Sequence, residues 1–325
     1  MNNTPHTNCL TLRLLHAAKG YKAVAFDIFD TLLKRDCAHP ADLFALMEVT
    51  HQAALGFAGA RAAAEAETRQ TLGREVTLAE IYAHPALRGT DPATECAAEL
   101  AMIAPNRPVA QAAAACHARG QKVYAVSDMY LPKEQIEAML QKCGLDFLDG
   151  VFVSCEYGVQ KRSGKLFKLF LQQTALRPAE VLFVGDSPRA DFAGAALAGL
   201  PCFLLPQPTP LPYTKTPADA VGGAAIATLQ NCCQNLNPSA ALGAELLGPL
   251  AVGFATWLHG QRAAIPGAKL VFLARDMYLV RQVYQLLYPE EETFYLKVSR
   301  QSLLPALLQC PMNEQALALL ADTLP

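Results

Sequence analysis

Four groups of polar residues stand where short apolar runs end, and their types suit phosphoryl chemistry. The first is Asp27, which follows Ala23–Phe26 in the run AVAFDIFDTLL. A carboxylate delivered to the end of a buried strand can serve as a nucleophile, a metal ligand or both; capping the next turn is the structural alternative. The second is Ser127, followed by Asp128, after VYAV. A hydroxyl and neighbouring backbone N–H groups can hold phosphate oxygens, although a Ser-Asp pair also makes ordinary caps. The third is Lys161 in GVQKRSGKLF. A lysine in a loop before a helix can neutralise a phosphoryl group and a carboxylate together. Lys165 competes for that role, and a solvated surface lysine is the alternative for either. The fourth is Gly185-Asp186-Ser187 after VLFV, with Asp191 five residues beyond Asp186. Two more carboxylates at a sheet edge make a hard oxygen site suited to Mg²⁺.

The elements that must position these residues follow from the apolar pattern. Short apolar runs alternate with longer helical patterns, which predicts a parallel sheet covered by helices. The expected strands are Ala23–Phe26 and residues 122–126, 151–153, 180–184 and 201–205. In such sheets ligands gather at the carboxyl ends of the strands, where all four groups lie. Between the first two strands, residues 36–106 are rich in Ala, Leu and Glu and carry no strand signal. Helices are expected there after Pro40, over 55–72, 77–82 and 92–102, with Arg61, Glu65 and Arg69 at i,i+4 spacing. Residues 206–217 hold five prolines and predict a stiff linker. Beyond it, 218–325 reads as helices and two strands. The segment GQKVYAVSDMYL at 120–131 resembles GAKLVFLARDMYL at 267–279, a weak internal repeat that equally fits chance.

Taken together and in this order, Asp27, Ser127, Lys161 and Gly185-Asp186 with Asp191 resemble the four motifs of the haloacid dehalogenase (HAD)-like hydrolase superfamily. The resemblance covers residues 20–205. It implies a doubly wound parallel-sheet α/β core, formed by 1–35 and 107–205, with 36–106 as an inserted helical cap. A smaller α/β or mostly helical domain would occupy 218–325. It further implies a phospho-aspartate at Asp27, with Ser127 and Lys161 holding phosphoryl oxygens. Mg²⁺ would be held by Asp27, the Phe29 backbone carbonyl, Asp186 and Asp191. Asp30, Asp128, Lys165 and Ser187 remain as further candidates. FDIFDTLLKR, SDMYLPKE, KRSGKLF, FLARDMYLV and YLKVSRQSL are similar to a bacterial group of predicted HAD hydrolases found with polysaccharide and glycosyltransferase loci. That likeness implies association with glycosyltransferase machinery. The sequence ends soon after SRQSL, so a longer protein is expected.

One position departs from the phosphatase pattern. Where those enzymes carry an acid/base Asp two residues after the nucleophile, this chain has Phe29. Side chains alternate along a strand, so Asp30 is expected to point away from Asp27 and not to replace it. A missing general acid costs ~10²–10⁴-fold. The substrate is therefore expected to be a small phosphorylated metabolite, a sugar phosphate or an activated phosphate with a good leaving group. The competing readings are a cap-borne acid, a non-catalytic module and a metal-independent dehalogenase. A dehalogenase also lacks this Asp, but Asp186 and Asp191 would be needless charge in it. A site in the C-terminal part built from Arg275, Asp276, Ser299 and Arg300 is weighed against a structural ion pair.

Composition narrows the classes. The 325 residues are 52% hydrophobic and 17% charged, with a net charge of -2, which suits a soluble enzyme and no nucleic-acid or anionic-membrane partner. The N-terminus has no secretory pattern, so the ten cysteines are expected as reduced thiols in the cytoplasm. The apolar stretch 246–258 is too short to span a bilayer and is expected as a buried or interfacial helix.

Overall fold

The computed structural model describes residues 9–206, 217–234, 236–274 and 276–298. They fall into two compact units, Met1–Asn237 and Pro238–Pro325.

The first unit is built on five parallel strands: β1 (Ala23–Phe26), β4 (Lys122–Ser127), β5 (Gly150–Val153), β6 (Val181–Gly185) and β7 (Cys202–Leu204). Their order is β5-β4-β1-β6-β7. From β1 the chain builds outward first on one side and then on the other, so the central strand ends at a topological switch point. All four residues of β1 are buried, as a strand covered on both faces requires. Alternate positions serve opposite faces. Val24 and Phe26, Val123 and Ala125, and Leu182 and Val184 join one core cluster. Ala23 and Ala25, Val126, and Val181 and Phe183 join the other, under Leu166, Phe167 and Phe170 of the Lys165–Thr174 helix.

The cap is inserted through a small hairpin. Strands β2 (Leu33–Arg35) and β3 (Ile103–Pro105) pair antiparallel, with Leu33 opposite Pro105 and Arg35 opposite Ile103. Neither was expected: three residues of mixed character make no periodic signal, and each strand exists through its partner. The Asp36 N–H donates to the Met102 carbonyl at 2.8 Å, closing the neck beyond the hairpin. Above it lie α2 (Asp42–Val49), α3 (Phe57–Leu72), α4 (Leu78–Tyr82) and α5 (Pro92–Ala101), close to the helices expected. Local chemistry sets their starts. Thr77 and Glu80 form a reciprocal capping box on α4, and Asp91 caps α5 ahead of Pro92.

Arg61, Glu65 and Arg69 pair at their i,i+4 spacing, and the structure buries Arg61 completely. Its guanidinium meets both Glu95 oxygens at 2.6 and 2.9 Å and Glu65 at 2.9 Å. It lies over Phe44 and Tyr130, 4.8 and 4.6 Å from the ring centroids.

The expected boundary at 206–217 moves. Residues 207–216 lie outside the described residues, and the helix after them, Pro217–Cys233, belongs to the first unit. Asn231 Nδ2 donates to the Arg35 carbonyl at 3.1 Å and to Asp36 Oδ1 at 2.8 Å. Gln234 Oε1 accepts from the Arg107 N–H at 2.7 Å.

In the second unit β8 (Leu270–Leu273) and β9 (Thr293–Leu296) pair parallel around the Tyr278–Leu287 helix. In the first, β4 and β5 are likewise parallel, with Lys133–Lys142 between them. The weak repeat thus falls on two β-α-β units. The apolar stretch read as 246–258 is part of a longer helical run, Pro238–Ala263, of 26 residues. Its length and composition suffice to cross a membrane, and 11% of its most apolar window is buried. The shorter reading stopped at Glu245, which the helix passes through. Of the C-terminal candidates, Arg275, Ser299 and Arg300 lie outside the described residues.

Candidate active site

Asp27 follows β1 directly, held by its N–H to the Val184 carbonyl of β6 at 2.8 Å. Ser127 ends β4, the neighbouring strand on the other side, and is buried. Lys161 sits in the loop before the Lys165–Thr174 helix and is only 2% exposed. Its ammonium reaches Asp27 Oδ1 and Asp191 Oδ1, each at 2.6 Å. Asp191 is fully buried, and its second oxygen accepts the N–H groups of Asp186 and Ser187, both at 2.9 Å. This carboxylate therefore braces the Gly-Asp turn and the lysine at once.

Two glycines make room for the arrangement. A Cβ on Gly185 would overlap the Asp191 carboxylate, and one on Gly194 would overlap the Lys161 carbonyl oxygen. The Gly in Gly-Asp is thus a steric requirement of the brace.

Burial pushes the Asp27 carboxyl up to about 8; Lys161 opposes this and Asp191 and Asp186 add to it. Lys161 is raised by the carboxylates around it, against its own burial. Asp27, Asp186 and Asp191 each present a ligand oxygen within 4.8 Å of the others. Lys161 meets Asp27 and Asp191, and the Oδ1 of each is buried without a well-directed hydrogen bond. That donor set, hard and anionic, fits a divalent cation.

The further candidates separate. Asp128 Oδ1 accepts the Lys161 N–H at 2.8 Å, joining the loops that carry Ser127 and Lys161, so it neither caps the next helix nor faces open solvent. Its carboxyl is pushed up by burial, against Lys161. Lys165 is exposed and does not join Lys161 on Asp27. Ser187 Oγ accepts the Ala190 N–H at 3.1 Å and caps the turn that brings Asp191 round.

Asp30 points outward, beside Lys34 at 3.5 Å. The reason is not strand alternation, because β1 ends at Phe26. Residue 30 turns through φ 57, a left-handed conformation that Asp tolerates better than most residues. The Phe29 ring lies under Arg35, whose guanidinium carbon is 3.9 Å from the ring centroid. Arg35 is paired with Glu99 through Nε and Nη2, at 3.0 and 3.3 Å. Sequence reasoning missed Thr31, which donates to Asp186 Oδ1 at 3.3 Å, and Glu75 and Gln160, described below. A hydroxyl four residues after Asp27 was the only local hint of the first.

The family model for haloacid dehalogenase-like hydrolases matches residues 21–199, and the chain belongs to that family of hydrolases. The structure is similar to the L-2-haloacid dehalogenase of Xanthobacter autotrophicus, at 22% identity and a TM-score of 0.41, covering 56% of this chain and 76% of that one. YfnB from Bacillus subtilis, bound to magnesium, shares 22% identity with a TM-score of 0.41, covering 57% and 88%. CbbY from Rhodobacter sphaeroides, in complex with phosphate, shares 17% with a TM-score of 0.39, covering 57% and 87%. No protein of curated function matches the sequence.

Proposed function

We propose that this protein is a Mg²⁺-dependent phosphatase or phosphotransferase that works through a phospho-aspartate at Asp27. The observation that carries the reading is the close carboxylate trio Asp27, Asp186 and Asp191, two of which bind Lys161. A metal-free displacement of halide has no use for the two additional carboxylates beside the nucleophile. When bound by Asp27, Asp186, Asp191 and the Phe29 carbonyl, Mg²⁺ would offset charge on the phosphoryl oxygens.

The chain's own residues divide the remaining work. The Asp27 carboxylate attacks phosphorus, and the bond to the leaving group breaks. Lys161 keeps Asp27 oriented and, with Ser127, holds the equatorial oxygens. Asp191 fixes Lys161. Water or an acceptor hydroxyl then attacks the phosphorus of the acyl phosphate and releases Asp27. Phe29 has no proton to give, so the leaving group departs as a stable anion. That selects activated phosphates, anhydrides or acyl phosphates, ahead of simple alkyl esters.

Phe29 is also the observation that favours a second reading, a site that binds phosphate or halocarboxylate without phosphoryl transfer. One experiment separates them: phosphate release from sugar phosphates, nucleotides and acyl phosphates, with Mg²⁺ and with chelator, in wild type and Asp27→Asn. We expect release that is fastest from acyl phosphates and falls to background with chelator or with Asp27→Asn. Halide release from 2-haloacids with chelator present would overturn the proposal. No release of phosphate from any compound by folded, Mg²⁺-binding protein would remove hydrolysis and leave transfer to an acceptor or the binding role.

A further inference from the structure

A short segment of the cap, residues 75–78, bonds to both loops that carry Ser127 and Lys161. Glu75, in the turn between α3 and α4, is 2% exposed although it is charged. Its Oε2 accepts from Gln160 Nε2 at 2.6 Å. Its Oε1 accepts from Arg69 Nη2 and Nε at 2.8 and 3.2 Å, so the cap itself holds the carboxylate in place. Three residues on, the Leu78 N–H donates to the Tyr130 carbonyl at 2.8 Å. Gln160 directly precedes Lys161, and Tyr130 lies three residues after Ser127. Between the loops, Asp128 accepts the Lys161 N–H. The charges beside this seam are already matched, Arg69 by Glu65 and Glu75 and Arg74 by Glu80, so the segment acts by position and not as a charged pocket.

We propose that Glu75 and Gln160 are positioning residues for Lys161: the cap carboxylate, through the Gln160 amide, sets the lysine loop against Asp27. The loop closes on itself through one turn, the Gly164 N–H donating to the Lys161 carbonyl at 2.7 Å. It runs between Gly158 and Gly164, both in left-handed conformation, and its lower side rests on Gly194. A loop bounded by two such residues is shaped by whatever it is bonded to. Glu75 and Gln160 touch neither phosphorus nor metal; they act through the backbone one residue before the ammonium that meets Asp27 and Asp191. A seated cap is then a condition for a placed lysine. The inference rests on the role given to Lys161 above.

The test exchanges donor and acceptor. Gln160→Glu sets two carboxylates against each other; Glu75→Gln with Gln160→Glu restores a single reversed bond. Displacing a catalytic group by about 1 Å costs on the order of 10²-fold. We expect Gln160→Glu to lower kcat about 10- to 100-fold with KM little changed, and the double exchange to recover most of it. Glu67→Ala, on the cap surface, should stay within about twofold, as exposed ion pairs contribute little. Amide exchange read by mass spectrometry gives a second measure that needs no substrate. The peptide spanning 158–164 should exchange faster in Gln160→Glu and return to wild-type protection in the double exchange. Unchanged protection in Gln160→Glu would overturn the inference, whether or not phosphatase activity is found. A raised KM with kcat retained would overturn it too, since it would mean that these residues touch substrate. Absence of turnover by wild type would sink the phosphatase reading alone and leave the exchange result to decide the role of the clip.

Discussion

The Asp27 carboxylate sits where burial and two like charges oppose its ionisation and a single ammonium favours it. Its carboxyl, pushed up to about 8, must lose a proton before it can ligate a cation. Mg²⁺ affinity should therefore climb as pH rises from 6 towards 8, by at most about tenfold per unit, and level off above. Titration calorimetry across that range checks this; affinity independent of pH would remove Asp27 from the ligand set. Two residues away, Arg35 covers the Phe29 ring. Phe29→Asp should consequently raise hydrolysis of alkyl phosphates far less than the ~10²–10⁴-fold a general acid supplies. The adjacent guanidinium would hold the new carboxylate ionised and unable to donate. Comparing kcat/KM for an alkyl and an acyl phosphate tests it, and a gain of about 10³-fold on the alkyl ester would show that Arg35 does not govern that position. Asp27, Ser127, Lys161 and Asp186 were legible because each ends an apolar run or lies just before a helix, and Asp191 by its spacing from Asp186. Glu75 and Arg35 were not, because their partners Gln160 and Glu99 lie 85 and 64 residues away and no local pattern marks them.

Among the elements, the five core strands could be read because burial on both faces makes them continuous apolar runs. The hairpin β2–β3 could not, since neither LKR nor IAP alternates. The cap helices were legible in extent but not in charge: i,i+4 spacing shows that Arg61 and Glu65 can meet, not that Glu95 from another helix will bury the pair. That burial has an energetic consequence. Arg61→Leu would leave the Glu95 carboxyl enclosed and, among the described residues, with the Tyr82 hydroxyl as its remaining side-chain partner, at 2.8 Å. We expect a loss of about 3–5 kcal/mol, read from urea unfolding. Arg61→Leu combined with Glu95→Leu should cost less than the single change, since no uncompensated charge remains. A double variant as unstable as the single one would mean that the pair matters through packing alone.

Across the whole molecule, the residues assigned to chemistry and both large core clusters lie before Pro238. The helix Pro217–Cys233 was assigned from sequence to the second domain because prolines precede it, yet Asn231 and Gln234 bond it to the first. A linker composition shows where the chain is stiff, not which side the next helix packs on. Ending the chain at Asn237 should leave a cooperative unit that still binds Mg²⁺, whereas ending it before Pro217 should uncover Arg35 and Asp36 and lower the melting temperature. Thermal unfolding of the two truncations decides between this boundary and the one at the prolines. The second unit stands differently. Val271, Leu273, Phe294 and Leu296 point away from its small core and remain exposed, although a parallel sheet ordinarily covers both faces.

The neck at Asp36 and Met102 brings the two ends of the cap within one hydrogen bond of each other. A loop whose ends already meet adds closure entropy only slowly as it lengthens. Seen as a matter of descent, the core could exchange this insertion for another of different length and shape while keeping its own fold and the carboxylates below it. The insertion and the residues beneath it would then be free to diverge at separate rates, provided an incoming module supplies a new grip on Gln160.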